Sequence, residues 1–452
     1  MSTSERMARG TGDDSSLAIQ AVRQWLGDAQ REDVPFEELA SSLYLFARRL
    51  YENALRNGVK DLFFFAREGQ LLQRMFDIVQ SHEPVATIRS HYLKVSRRST
   101  FLLSLCELDQ ENFDVLFRQY RSISIAEFLK SLALDEHVAM LADALGVELA
   151  LLTQRSSDLP QDPLFGHLLK HPSFRSLYET ERIARSNAFG TYVAGFTDGR
   201  VPEHLHVVDV GWKGSIQDNL FNWLRNRYGE AAGVSGYYIG LVASGSAGVM
   251  NIKSGLLFSC VGGLPTPGYF VFNENRSLFE VLLHANHGSA QRYIEVGDGE
   301  VVVVEDTFDE GPMIEAFVEP VAQRILVAFT RIAEMLSSAN PSDRQLLEFA
   351  VECHARLVFS PSQQEIDWIR SLSHVENFGV FEASIFDGRK FSRSVLARLR
   401  FAVDLFRRHH RNLGFWPWLT IEERAIWGMS SAYRIVRMHQ TRRTLRHAPS
   451  DR

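Results

Sequence analysis

Three strand-length apolar runs in this chain each end in a polar loop, and that repetition limits the fold more than any other feature. Leu62-Phe-Phe-Phe-Ala66 runs into Arg67-Glu68-Gly69. Ile88 to Val95 runs into Ser96-Arg97-Arg98-Ser99. Leu205 to Val210, broken by Asp209, runs into Gly211-Trp212-Lys213-Gly214-Ser215. Helical spacing of apolar residues follows the first and third loops, over Gln70–Gln80 and Ile216–Tyr228. Apolar strands alternating with helices predict an α/β fold with a mainly parallel sheet flanked by helices. Gly233–Ala243 and Met250–Cys260 read as further strands, and Tyr293–Asp306 as a hairpin turning at Gly297-Asp298-Gly299.

The remaining sequence is helical in pattern. Pro35–Asn57 spaces Leu39, Leu43, Phe46, Leu50 and Ala54 along one side. Residues from about 100 to 200 read as a helical insertion within the α/β domain. From Pro312 on, amphipathic segments are expected at Met313–Ser337, Asp343–Phe359, Ser394–His410 and Thr420–His447. The expected division is a disordered tail over 1–18, an α/β domain over 19–310 and a C-terminal helical region over 311–452.

Composition excludes several classes. A net charge of −6 over 452 residues is unlike a nucleic-acid binder. The 3 cysteines are far apart and suggest neither a metal cluster nor a disulfide framework. No apolar run approaches the ~18 residues of a membrane span, and the polar N-terminus has no signal core. A cytoplasmic protein is expected. The last segment carries Arg434, Arg437, Arg442, Arg443 and Arg446. It reads as a solvated face or, alternatively, as a peripheral contact with an anionic membrane surface.

The loops carry the chemistry. A glycine-containing turn from a strand into a helix aims backbone N–H groups and the positive helix end at an anion. Lys213 adds charge there and Ser215 a hydroxyl. Asp209 stands at a strand's carboxyl end, where α/β proteins place ligands. Arginines such as Arg67, Arg97 and Arg98 bind phosphate oxygens in pairs of bonds. The usual nucleotide and hydrolase motifs do not occur. A ligand with a phosphate at one end, a sugar in the middle and a diphosphate at the other would satisfy all three loops. Phosphoribosyl pyrophosphate (PRPP) is such a ligand. Taken singly, each signal has a plain structural reading: Arg67-Glu68 as a solvated ion pair, Arg97 and Arg98 as a helix C-terminal cap or surface charges, Glu280 as an ordinary helix acid, His287 as a structural histidine.

Val207-Val-Asp-Val-Gly-Trp-Lys-Gly-Ser215 resembles the PRPP loop of type I phosphoribosyltransferases, with one acid where those enzymes usually carry two. Phe63-Phe-Phe-Ala-Arg-Glu-Gly69 is placed like their pyrophosphate loop. Phe64–Gly69, Tyr92–Ser99, Asp209–Ser215 and Glu280 with Asn286-His-Gly-Ser289 are similar, in that order, to bacterial polysaccharide phosphoribosyltransferases over roughly residues 34–295. Those proteins are often fused to or paired with a HAD-type phosphatase. The resemblance implies transfer of 5-phosphoribosyl from PRPP to a sugar hydroxyl of a nascent, lipid-linked glycan, with inversion to a β-ribofuranoside. A separate phosphatase would then remove the 5-phosphate, since this chain has no D-x-D-x-[TV] motif. Inversion requires a base near the acceptor hydroxyl. Glu68, Asp209 and His287 are the candidates, with Glu68 favoured and Asp209 on the ribose or a metal; the reverse assignment stays open. Arg67, Gly69, Ser96, Arg97, Arg98 and the loop Gly211–Ser215, Trp212 included, would bind the donor. Glu280 and Ser289 would face the acceptor. Mg²⁺ commonly accompanies diphosphate donors, and Asp209 is the acid that would hold it. The competing readings are a catalytically inactive PRPP- or nucleotide-binding regulator and a polysaccharide-assembly subunit.

Overall fold

The computed structural model describes residues 3–30, 35–83, 87–297, 299–372, 394–407, 413–414 and 416–446. Five strands form one parallel sheet: β1 (Asp61–Phe65), β2 (Arg89–Leu93), β3 (His204–Trp212), β4 (Gly233–Leu241) and β5 (Asn251–Ser259). Their order is β2-β1-β3-β4-β5. The chain builds outward from β1 to β2 on one side, then returns to place β3 on the other. That reversal is the topological switch point, where neighbouring strand-end loops diverge and leave a crevice. The α/β expectation with a mainly parallel sheet therefore holds, and the sheet is parallel throughout.

Alternate residues of the apolar strands enter two cores, one on each face. Leu62 and Phe64 of β1 and Val208 and Val210 of β3 pack against helices Leu39–Arg56 and Gly69–Ser81. Phe63 and Phe65, with Leu205 and Val207, face helices Pro172–Ala194 and Ser215–Tyr228. Burial on both faces explains why these strands are continuously apolar instead of alternating.

The insertion has a core of its own, including Phe113, Phe117, Phe128 and Phe165. Helix Pro172–Ala194 links the two bodies: Phe174 and Tyr178 enter the insertion core, while Phe189 and Val193 enter the sheet's. Strands β6 (Ala290–Gly297) and β7 (Glu300–Glu305) form the expected antiparallel hairpin; Asp298 of its turn lies outside the described residues.

Several boundaries depart from expectation. The expected tail over 1–18 is helical from Thr3, within helix Thr3–Gln30. Ile19, Val22 and Leu26 give that helix a buried side, and Arg23 pairs with Glu352 at 2.6 Å. The tail boundary thus cuts through one amphipathic helix. The C-terminal region is helical as expected; its Ile325, Phe329, Leu347 and Ala350 share a core with Phe64 and Val208, while Phe401 packs with Ile421 and Ala425. Met313–Ser337 divides into a turn at Gly311–Met313, a π-helical turn at Ile314–Val318 and a helix from Glu319. Thr420–His447 divides into Pro417–Arg424 and Met429–Arg446, with Gly428 at φ +87° in the break. Val395–Arg407 is helical; His410 and His447 fall outside the described residues. Among the described residues no helix is long and apolar enough to cross a membrane.

Candidate functional site

The switch point sets the loop after β1 beside the loop after β3. β1 and β3 pair in register at Phe63–Val207 and Phe64–Val208. Continued upward, that register sets Asp209 level with the last residue of β1, so Glu68 leaves the sheet next to it. The Ala66–Arg67 peptide is cis. Gly69 starts helix Gly69–Ser81, and a Cβ there would come within 2.9 Å of the Phe64 carbonyl carbon. Its glycine is set by this close approach to the strand.

Asp209 is the electrostatic centre of the crevice. Burial pushes its carboxyl up to about 7, the negative charges of Glu68 and Glu280 push the same way, and the Val210 N–H and Arg97 charge oppose them. The residue as a whole is half-buried. A desolvated acid among like charges holds its proton into the neutral range. Such a group can exchange a proton at physiological pH.

The loop after β3 turns through left-handed backbone at Gly211 (φ +114°), Trp212 (φ +73°) and Gly214 (φ +68°). A Cβ on Gly211 would meet the Gly240 carbonyl at 2.4 Å. Trp212 is an aromatic residue in a region such residues seldom enter. Its indole N–H donates to Glu280 Oε1 at 2.5 Å, Arg276 lies 5.3 Å over its ring, and Phe258 stacks at 5.8 Å. The Trp212 ring is thus held by protein neighbours. Gly214 precedes helix Ser215–Tyr228, whose first backbone bond runs from Asp218 N–H to Gly214 C=O. The N–H groups of Ser215, Ile216 and Gln217 precede that bond, as the first donors of a helix do. Lys213 and Ser215 are exposed at the mouth.

A buried polar frame holds this helix start. Lys253 of β5, its side chain 1% exposed, donates to Lys213 O at 2.9 Å and pairs with Asp218 at 2.8 Å. Asn251 donates to Asp218 at 2.7 Å and accepts from Gln217 at 2.7 Å, and Tyr238 donates to Gln217 at 2.6 Å. The sequence reading missed this frame, although Lys253, a lone charge inside an apolar strand, was its signal.

The arginines divide. Arg97 is exposed, and its charge reaches Asp209. Arg98 is bound to Asp135 of the insertion and to Asp306 after the hairpin. Ser96 is no ligand loop: it caps helix Arg97–Ser104, accepting from Ser99 N–H at 3.0 Å and donating to Ala290 O at 2.5 Å. The two arginines thus open a helix instead of closing one. Arg67 donates to His284 Nε2 at 3.0 Å and lies 3.6 Å from Glu310. Burial, then the Arg67 charge, holds His284 down at about 3, so its ring is neutral and accepts. His284 and Glu310 are further members of the site that only the fold brings in.

His287 stands at the β2 side. Its Nδ1 donates to the Gly288 carbonyl at 2.8 Å, so Nε2 accepts the Tyr92 hydroxyl at 2.6 Å. The lone pair a base would need is already engaged. Ser289 belongs to the hairpin end, where its carbonyl accepts from Asp306 N–H at 2.9 Å. Glu68, Arg97, Asp209, Trp212 and Glu280 are therefore brought together with the helix start; Ser96, Arg98 and Ser289 are turned to structural contacts. Among the described residues no three His, Cys, Asp or Glu side chains converge as ligands of one cation. No protein-family model matches the chain, and no curated protein matches it.

Proposed function

We propose that the crevice binds PRPP and that the chain transfers 5-phosphoribosyl to a sugar hydroxyl of a nascent bacterial surface polysaccharide. The observation that carries this reading is the meeting, at the switch point, of an acid poised near neutrality with a braced helix N-terminus. The helix start and Lys213 would hold the 5-phosphate. Arg97, with Arg67, would hold the diphosphate. Glu68 would hold the ribose hydroxyls.

The acceptor oxygen attacks the anomeric carbon, the bond to pyrophosphate breaks, and the acceptor's proton passes to a carboxylate. Displacement opposite the leaving group gives the β-configured product. Asp209 is assigned as the base, the reverse of the assignment favoured from sequence. A base works best with a pKa near the operating pH, and Asp209 stands at about 7. Mg²⁺ takes one or two carboxylates together with phosphate oxygens. Glu68 would hold such an ion beside the diphosphate, whose charge it would neutralise, and Asp209 would stay free to take the proton. The product still carries a 5-phosphate, for a separate HAD-type phosphatase to remove. The acceptor would be lipid-linked and the reaction cytoplasmic, at the inner face of the membrane.

The test is incubation with PRPP and candidate acceptor glycans. Pyrophosphate release with a matching phosphopentose mass gain is expected, and absence of PRPP binding by calorimetry would refute the reading. The regulator alternative draws on one observation: Arg67 and Arg98 already have acidic partners. PRPP binding without turnover across a broad acceptor panel would favour it.

A further inference from the structure

The outer side of the C-terminal helices has a composition that neither the cores nor the crevice uses. Helix Met429–Arg446 buries Ser430 and Thr441 and turns Tyr433, Arg437 and Met438 inward. Arg437 stacks on Tyr433 and Phe270 and lies 3.7 Å from the buried Glu274. At 3.6 residues per turn, the opposite face carries Ile435, Val436, His439, Arg442, Arg443 and Arg446, all exposed. Ile435 is 69% exposed and Val436 55%, and Trp427, just ahead of the helix, is 98% exposed. The face runs from apolar to basic along its length, and the helix contains no Asp or Glu.

Helix Val395–Arg407 also has an exposed apolar stripe beside arginines, with one acid, Asp404, among them. Phe401 and Ala402 are buried, Phe401 packing with Ile421 and Ala425. Val395, Leu396, Leu399 and Val403 form a stripe on the other side, 78%, 61%, 50% and 41% exposed. Arg400 and Arg407 border one side of that stripe and are exposed.

We infer that these two helices bind the surface of an anionic lipid bilayer, lying in the headgroup plane with Trp427, Ile435, Val436 and the Val395–Val403 stripe inserted and the arginines on lipid phosphates. Exposed apolar residues beside arginine on an amphipathic helix suit that boundary, and Trp favours it. A second copy of the same face would leave the arginines without acidic partners, since this helix contains no Asp or Glu. A nucleic acid would leave the apolar stripe in water. The inference does not depend on what the crevice binds.

Sedimentation of the full chain with vesicles tests it. The protein is expected to pellet with vesicles of phosphatidylcholine and phosphatidylglycerol, to stay in solution with phosphatidylcholine alone, and to be released by salt. Replacing Arg442, Arg443 and Arg446 by Ser together should weaken partitioning about a hundredfold, at ~1 kcal/mol per arginine. Trp427→Ser with Ile435→Ser should weaken it at least about tenfold. Thermal unfolding should not move in either variant, since these side chains are exposed. The inference is overturned if the protein ignores anionic vesicles, if the arginine variant binds them like the parent, or if duplex DNA competes the protein off them. It is equally overturned if the arginine variant abolishes a dimer instead of vesicle binding.

Discussion

The loops after β1 and β2 stand on neighbouring parallel strands, and both carry arginine beside polar groups. The loop after β1 borders β3, at the point where the chain reverses its direction of growth across the sheet. Its Glu68 charge acts on Asp209 of the neighbouring strand, while Arg67 is held by His284 and Glu310. The loop after β2 stands at the sheet edge. There Ser96 caps a helix, and Arg98 is taken up by Asp135 and Asp306. Only Arg97 still reaches the crevice. The same residue types bind a ligand or a neighbour according to strand order, because a strand-end loop stays open only where its neighbours diverge.

The largest expected effect lies at the centre of the crevice. Asp209→Asn should lower turnover by roughly 10²–10⁴-fold, the usual contribution of a positioned base, with PRPP affinity changed much less; pyrophosphate release measures it. In the parent, turnover should rise with pH through about 7 as Asp209 ionises. The same substitution should stabilise the fold. The folded state holds this proton more tightly than the unfolded chain does, so the parent loses stability as pH rises from about 4 through 7. The melting temperature of Asp209→Asn should therefore exceed the parent's at pH 8 and match it below pH 4. Equal melting curves at pH 8 would mean the carboxyl is not held near neutrality.

Next comes the frame beneath the loop after β3. Lys253→Met leaves Asp218 and the Lys213 carbonyl without their cation. It should cost about 3 kcal/mol in urea unfolding, the low end for a buried pair deprived of one partner. It should weaken PRPP binding as well, because the helix start is no longer braced.

The arginine pair sharpens the contrast between the loops. Arg97→Ala should weaken PRPP binding by about 2 kcal/mol, a charge-assisted hydrogen bond, without loss of stability. Arg98→Ala should leave affinity unchanged and cost under about 1 kcal/mol of stability, as a partly exposed ion pair does. The opposite pattern in calorimetry would assign the diphosphate to Arg98 and erase the difference between the loops. Ser96→Ala, the smallest change in ligand binding, should remove a helix cap worth ~1 kcal/mol and leave PRPP affinity as it was.

Local patterns were legible from residues alone. Continuous Phe and Val runs marked strands buried on both faces, and Asp343–Phe359 matched its apolar spacing to the residue. Asp209 and the glycine loop into a helix were recognisable because both needs, a strand end and left-handed backbone, are written in adjacent residues. The tertiary structure decided the rest. It set β1 beside β3, engaged His287 through Tyr92 and Gly288, spent Ser96 and Arg98 on packing, and drew Lys253 from a distant strand under the loop. It also raised the Asp209 carboxyl, since desolvation and the charges of Glu68 and Glu280 come from residues far apart in the chain. Pairing order and burial are long-range properties, and they separate an acid that takes a proton from one that merely ends a strand.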